Sequence, residues 1–228
     1  MNKKIKHVFF DLDHTLWDFD KNSGLTFEKI FNIHNVDVQL SNFLEVYEPI
    51  NFKYWKLYRE EKVSKAQLRY GRLKEAFNAI KIEVSDNLIE NLSEDYINYL
   101  STFNHVFEGA HDTLSYLKEN YKLHIITNGF AEAQKKKMLG AKLDNYFATV
   151  TNSEMVGVKK PNPKIFNFAL NFANARPENS LMIGDSLEAD IEGAINVGME
   201  VVYFDYKNLD YQEPHHRITK LNEIKDFL

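Results

Sequence analysis

The sequence predicts an α/β protein, a parallel sheet with an all-helical domain inserted directly after its first strand. Three observations carry this prediction. The run Val8-Phe9-Phe10 is apolar, with the β-branched and aromatic side chains of a strand buried on both faces. From about Trp17 to Asn104 the periodicity is helical throughout. From Val106 onward, strand-like runs alternate with helical stretches of ~10 residues, the pattern of parallel strands joined by right-handed crossovers. The expected boundaries are residues 1–16 with 105–228 for the sheet domain and 17–104 for the insertion.

In chain order, the insertion reads as four amphipathic helices. Ser23 is placed to cap the first, with Phe27, Ile30, Phe31 and His34 on one face. Asn42 with Glu45 has capping-box spacing and opens a long second helix, in which Pro49 predicts a kink. Ser64 with Gln67 is a second such box, followed by Leu73, Ala76, Phe77 and Ile80. Ser85 or Asp86 starts the fourth, with Ile89, Leu92, Tyr96 and Leu100 in register. The α/β part then reads as helix 111–120, strand 123–126, helix 132–139, strand 148–151 and helix 163–174. Pro163 opens that last helix. Strand 181–183, a helix over 187–197 closed by Gly198, and strand 201–204 complete it.

Composition narrows the function classes. The chain has 228 residues, a formal net charge of −5, a sequence pI near 5.9 and no cysteine. Disulfide and thiolate chemistry are excluded, and an acidic surface is a poor match for nucleic acid polymers or anionic membranes. The one dense basic run, Lys135-Lys136-Lys137, lies in a helical pattern and reads as a solvated face. Lys3, Lys4 and Lys6 precede an apolar run too short for a signal peptide, and no stretch reaches the ~20 apolar residues of a membrane span. A cytoplasmic protein is the expectation.

The chemistry sits at the ends of the predicted strands, where open parallel sheets bind ligands. The first strand runs into Asp11 and Asp13, with Thr15 close behind. Two carboxylates one residue apart repel unless a cation or a shared proton lies between them, so the pair implies a hard-metal site with a carboxylate free to act as nucleophile. The second strand ends in Thr127-Asn128-Gly129. Lys159-Lys160-Pro161 follows the third, and Gly184-Asp185 ends the fourth, with Asp190 five residues on. Each has a plainer reading as a turn, a surface lysine or a helix-terminal acid. Their joint appearance, in order, at strand ends makes four coincidences improbable.

This set resembles the haloacid dehalogenase superfamily, whose four signatures it matches in order. The resemblance implies a Rossmann-like core with a C1-type helical cap inserted after the first strand, and a Mg²⁺ cofactor. It implies Asp11 as the nucleophile that becomes an aspartyl-phosphate, and Asp13 as the general acid and base whose backbone carbonyl also binds the metal. Thr127, with the N–H groups of Asn128 and Gly129, would hold the phosphoryl oxygens. Lys160, preferred to Lys159 because the family lysine directly precedes proline, would neutralise charge. Asp185 would ligate the metal, supported by Asp190 and Thr15. Dehalogenases of this superfamily lack an acid at the position of Asp13, so its presence favours phosphate esters.

The position between Asp13 and Thr15, often glycine in the family, is His14. The segment Asp11-Leu-Asp-His-Thr-Leu-Trp-Asp-Phe is similar to the pyrimidine 5′-nucleotidase branch that hydrolyses non-canonical nucleotides. The implied substrate is a small phosphate ester, a pyrimidine nucleoside 5′-monophosphate. The alternatives are a phosphoglycolate or sugar phosphate, or the bisphosphate-primed chemistry of a β-phosphoglucomutase-like mutase. Specificity is expected from the insertion and adjoining loops, with Trp17, Arg69 and Arg72 as candidates. Trp17 is the ring expected to stack on a base.

Overall fold

The computed structural model describes residues 5–209 and 216–228, so Lys3 and Lys4 lie outside it. The chain divides into two compact units, one running through Phe19 and resuming at Asn104–Leu228, the other Asp20–Phe103.

The first unit is built on a sheet in the order β3-β2-β1-β4-β5-β6, every pair parallel. Its strands are β1 (His7–Phe10), β2 (Lys122–Thr127), β3 (Phe147–Asn152), β4 (Ser180–Gly184), β5 (Glu200–Phe204) and β6 (His216–Ile218). β1 is central, with all four residues buried, as its apolar run requires. The chain moves outward from β1 through β2 to β3, then crosses back to lay β4 on the other side of β1. That reversal between β1 and β4 is a topological switch point, where a crevice opens beyond the carboxyl ends. Phe10 pairs with Ile125 on one side and Ile183 on the other, so Asp11, Thr127 and Asp185 emerge close together. β6, three residues containing His216 and Arg217, has no apolar run and was not expected.

The second unit holds α1 (Phe19–Ile33), α2 (Leu40–Arg59), α3 (Lys65–Ala79) and α4 (Asp86–Leu100). α1 begins at Phe19, four residues before the predicted cap. Ser23 lies inside it, buried, its hydroxyl 2.8 Å from that of Tyr96. α2 starts at Leu40 behind Gln39, so Asn42 is not a cap, and Pro49 is accommodated in a helix that continues to Arg59. The Ser64 box forms on both sides: its oxygen accepts from Gln67 N (3.2 Å) and Gln67 Oε1 accepts from Ser64 N (2.8 Å). Ser85 caps α4 through Leu88 N. The core is aromatic. Phe27 contacts Phe43, Tyr47 and Tyr96 with ring centroids 4.5–4.9 Å apart, so Phe43 and Tyr47 are packing residues.

The two passages between units run side by side within the first. Asp18 N donates to His105 O, Phe107 N donates to Leu16 O, and Trp17 bridges Val106. The remaining helices are α5 (Ala110–Lys118), α6 (Ala131–Gly140), α7 (Ser153–Val156), α8 (Pro163–Phe172) and α9 (Gly193–Ile195). Among the described residues no helix is long and apolar enough to cross a membrane.

One buried polar pair lies under the sheet. His7 Nδ1 is 3.0 Å from His124 Nε2, and His124 Nδ1 is 2.8 Å from Thr149 Oγ1, linking β1, β2 and β3. Burial pushes the His124 imidazole down to about 4, helped by His7 and Lys122, and lowers His7 as well. The His124 ring stays neutral in the folded protein down to about pH 4, whereas the unfolded chain takes up a proton near pH 6.5. The stability it contributes is therefore complete above pH 6.5 and is lost as pH falls from there towards 4. Urea midpoints across that range should decline more steeply for the wild type than for His124→Gln. Parallel curves would contradict this assignment.

Candidate active site

The site is assembled around Asp11. It leaves β1 with its N–H bonded to Ile183 O (3.0 Å), which fixes it against β4, and its carboxylate is buried. Lys160, buried to 2% exposure in the loop between α7 and α8, places Nζ 2.6 Å from Asp11 Oδ1, 2.5 Å from Asp190 Oδ1 and 2.7 Å from Ile126 O. Burial drags the ammonium pKa down, but Asp11 and Asp190 outweigh it and hold the group up at about 12. Burial raises Asp11 to about 7. Lys160 opposes that rise, and Asp190 and Asp13 add to it. Asp185 also stands well above the carboxylate range, through burial first and then the neighbouring charges of Asp190 and Asp11.

Local structure explains why Asp190 reaches Lys160. The predicted helix over 187–197 opens as a wider π-helix, Leu187–Glu192. Ser186 O accepts from both Asp190 N (2.9 Å) and Ile191 N (3.2 Å), and Ser186 N donates back to Asp190 Oδ2 (3.1 Å). This turn folds the Asp190 carboxylate over the end of β4. A Cβ at Gly184 would lie 2.4 Å from Asp190 Oδ2, so only glycine allows the approach.

The Lys160 backbone is clamped from β2. Asn128 Oδ1 accepts from Lys160 N (2.7 Å) and Asn128 Nδ2 donates to Lys160 O (3.0 Å). The sequence suggested only a backbone role for Asn128; its side chain fixes the lysine's loop. Thr127 Oγ1, buried, accepts from Gly129 N (3.1 Å) and Gln134 Nε2 (2.7 Å). The Gly129 N–H thus points to Thr127 here, not outward. Thr15 Oγ1 donates to Asp185 Oδ1 (3.2 Å).

Asp13 has its own cation. Lys137 Nζ lies 2.6 Å from Asp13 Oδ1, and Gln134 Nε2 donates to Asp13 Oδ2 (2.8 Å). This corrects the reading of Lys135-Lys136-Lys137 as a solvated face. Lys136 is exposed and pairs with Glu132, but Lys137 is 3% exposed and lies over the Trp17 ring, 4.3 Å from its centroid. Gln134, Lys137 and Met138 have the i, i+3, i+4 spacing of one buried face, a signal present in the sequence and masked by the surrounding lysines. Trp17 is corrected too. It is fully buried with Lys137 over its ring, so it is not a free platform for a base.

His14 sits between the two aspartates' loop and Thr15 at φ 62°, the left-handed region where glycine is unstrained. Its Nδ1 is 2.8 Å from the Tyr206 hydroxyl and its ring stacks on Tyr206, contacts that offset the strain. Of the insertion candidates, Arg69 is half-buried and Arg72 is buried. Arg72 donates from Nη1 to Asn51 Oδ1 (2.8 Å) and lies over the Tyr96 ring, and its Nε has no acceptor.

Oxygens of Asp11, Asp185 and Asp190 all lie within 4.8 Å of one another. Hard carboxylate oxygens at this spacing suit a small divalent cation. Charge points the same way: among the described residues, two ammonium groups, those of Lys137 and Lys160, pair with the cluster of Asp11, Asp13, Asp185 and Asp190, and a divalent cation would offset the excess of acids.

A parallel sheet with a switch-point crevice and a buried aspartate–lysine pair at its carboxyl edge fits a class of hydrolase. The chain belongs to the haloacid dehalogenase-like hydrolases, whose family model matches residues 5–198. It is 32% identical to the pyrimidine 5′-nucleotidase YjjG of Escherichia coli over 226 residues, covering 97% of this chain and 96% of that one. It is 33% identical to the glyceraldehyde 3-phosphate phosphatase of Pyrococcus furiosus, covering 99% and 94%. The magnesium-bound structure of the HAD-hydrolase YfnB from Bacillus subtilis superposes with a TM-score of 0.89 at 27% identity, covering 99% of both chains.

Replacing Lys160 by Met should abolish activity and leave Asp11 and Asp190 as unpaired buried acids, a loss of roughly 3–5 kcal/mol in urea unfolding at neutral pH. Lys159→Met should leave both properties near wild type. The reverse ranking would move the role to Lys159.

Proposed function

We propose that this chain is a Mg²⁺-dependent phosphatase that hydrolyses small phosphate monoesters through an aspartyl-phosphate, with pyrimidine nucleoside 5′-monophosphates as preferred substrates. The observation that carries the reaction type is the pair Asp11 and Asp13, each with its own buried lysine. A lone nucleophile needs no second acid; an alkoxide leaving group does.

Asp11 attacks phosphorus, forming the acyl phosphate bond as the ester P–O bond breaks, and the departing alkoxide takes a proton from the Asp13 carboxyl. Water then attacks phosphorus and gives its proton to the Asp13 carboxylate. Inorganic phosphate leaves and the Asp11 carboxylate is restored. Lys160 offsets the charge of the nucleophile and the arriving phosphate together, and Thr127, Asn128 and Gly129 bind the phosphoryl oxygens. In that complex Gly129 N–H exchanges Thr127 Oγ1 for substrate. Asp11, Asp185 and the Asp13 carbonyl, with Asp190 and Thr15 in support, would hold Mg²⁺, which when bound would supply charge neutralisation at the phosphoryl group.

The nucleotide preference is supported by the likeness to YjjG across nearly the whole of both chains, together with the segment Asp11–Phe19. Arg69 and Arg72 are carried in this reading as the insertion's candidate specificity residues. A second reading, a triose-phosphate phosphatase, is favoured by the similar identity to the Pyrococcus enzyme.

Rates of phosphate release with Mg²⁺ should rank UMP and dTMP above AMP, glucose 6-phosphate, phosphoglycolate and glyceraldehyde 3-phosphate in kcat/KM, and EDTA should abolish all of them. A clear lead for glyceraldehyde 3-phosphate would replace the nucleotidase reading and keep the phosphatase chemistry.

A further inference from the structure

We propose that Lys137 and Gln134 are positioning residues for the reaction, a two-point clamp from α6 that fixes both carboxylate oxygens of Asp13 towards the leaving group. The inference rests on the phosphatase reading above and adds to it a part of the site that lies outside the four strand-end signatures.

The geometry is specific. A carboxylate has two oxygens and can rotate about its bond to Cβ. Here Oδ1 is held by the Lys137 ammonium at 2.6 Å and Oδ2 by the Gln134 amide at 2.8 Å. Rotation breaks both contacts. The same Gln134 nitrogen donates to Thr127 Oγ1 at 2.7 Å, so one amide sets the acid–base carboxylate and a phosphoryl-binding hydroxyl relative to each other. Gly129 makes room for it: a Cβ there would stand 2.1 Å from Gln134 Nε2.

Lys137 has little else to do. Its side chain is 4% exposed, the rings of Trp17 and Phe19 lie 4.3 and 5.2 Å from Nζ, and among the described residues Asp13 is its only carboxylate. Burying an ammonium is costly, and a well-packed apolar residue serves packing as well or better. A lysine kept in this position is explained by what it holds. Trp17 then gains a role in place of base stacking: its ring face steadies the ammonium that steadies Asp13.

A clamp that acts through Asp13 matters in proportion to how much the leaving group needs a proton. The test compares kcat/KM of wild type, Lys137→Met, Asp13→Asn and the double variant on UMP, whose alkoxide needs protonation, and on p-nitrophenyl phosphate, whose phenoxide departs without it. Lys137→Met should lose about 10²-fold on UMP, within the range of a general acid, and only a few-fold on p-nitrophenyl phosphate. In the Asp13→Asn background the same change should cost under about 3-fold, because interacting residues are not additive. Lys136→Met, on the exposed side of the same run, should match wild type.

Equal losses on both substrates, or fully multiplicative losses in the double variant, would overturn the clamp and leave Lys137 a packing residue. If Lys137→Met does not fold, Lys137→Gln, which keeps a polar side chain but removes the ammonium, must show the same substrate dependence. A wild-type protein that releases no phosphate from any ester would fail the phosphatase reading and this inference with it. An active wild type with an unaffected Lys137→Met would fail the inference alone.

Discussion

The structure of the site depends on one ammonium group. Lys160 is buried at the end of the sheet and shared by Asp11, Asp190 and the Ile126 carbonyl. Neither acid is tolerable there alone, and the lysine is tolerable only because both are present. Much of the surrounding architecture serves this contact. Asn128 clamps the Lys160 backbone, the π-turn brings Asp190 over β4, and Gly184 leaves space for it. Asp11 itself is fixed by the pairing of β1 with β4.

A second cation repeats the arrangement one residue pair away. Lys137 does for Asp13 what Lys160 does for Asp11, and the two lysines come from different loops and helices. The separation is chemically useful. A nucleophile must stay anionic and reach phosphorus, while an acid–base group must stand ready to give and take a proton. On the proposed mechanism, a separate lysine beside each carboxylate lets each task be held by its own cation. Burial first, and then the negative charge shared among Asp11, Asp185 and Asp190, raises Asp11 and Asp185, and the three acids lie close enough together to suit a divalent cation.

The sheet was legible because its buried strands are continuous apolar runs, and the helices because their caps and apolar spacings are local. Ser64 with Gln67 was readable for that reason; Asn42 with Glu45 had the same spacing and failed, because helix α2 was already under way at Leu40. β6 escaped notice since three residues with two basic side chains carry no strand signal. At the site, the strand-end acids and Lys160 stood out as charge where packing would want none. Lys137 did not, because two exposed lysines precede it and charge on a helix usually meets water. Trp17 was misread in the opposite sense: proximity to the catalytic turn suggested a ligand platform, but its ring was taken by Lys137. Both errors involve one contact between residues 120 positions apart: the local spacing of Gln134, Lys137 and Met138 marks a buried face, but no local pattern encodes its Trp17 partner.

The central claim is that Asp11, held by Lys160, becomes covalently phosphorylated. Acid-quenched single turnovers with UMP and Mg²⁺, followed by peptide mass spectrometry, test it most directly. The account predicts one transient phosphoryl group on the peptide bearing Asp11, appearing before free phosphate and absent from Asp11→Asn protein. Phosphate release at the full rate with no adduct, or an adduct on another residue, would contradict it.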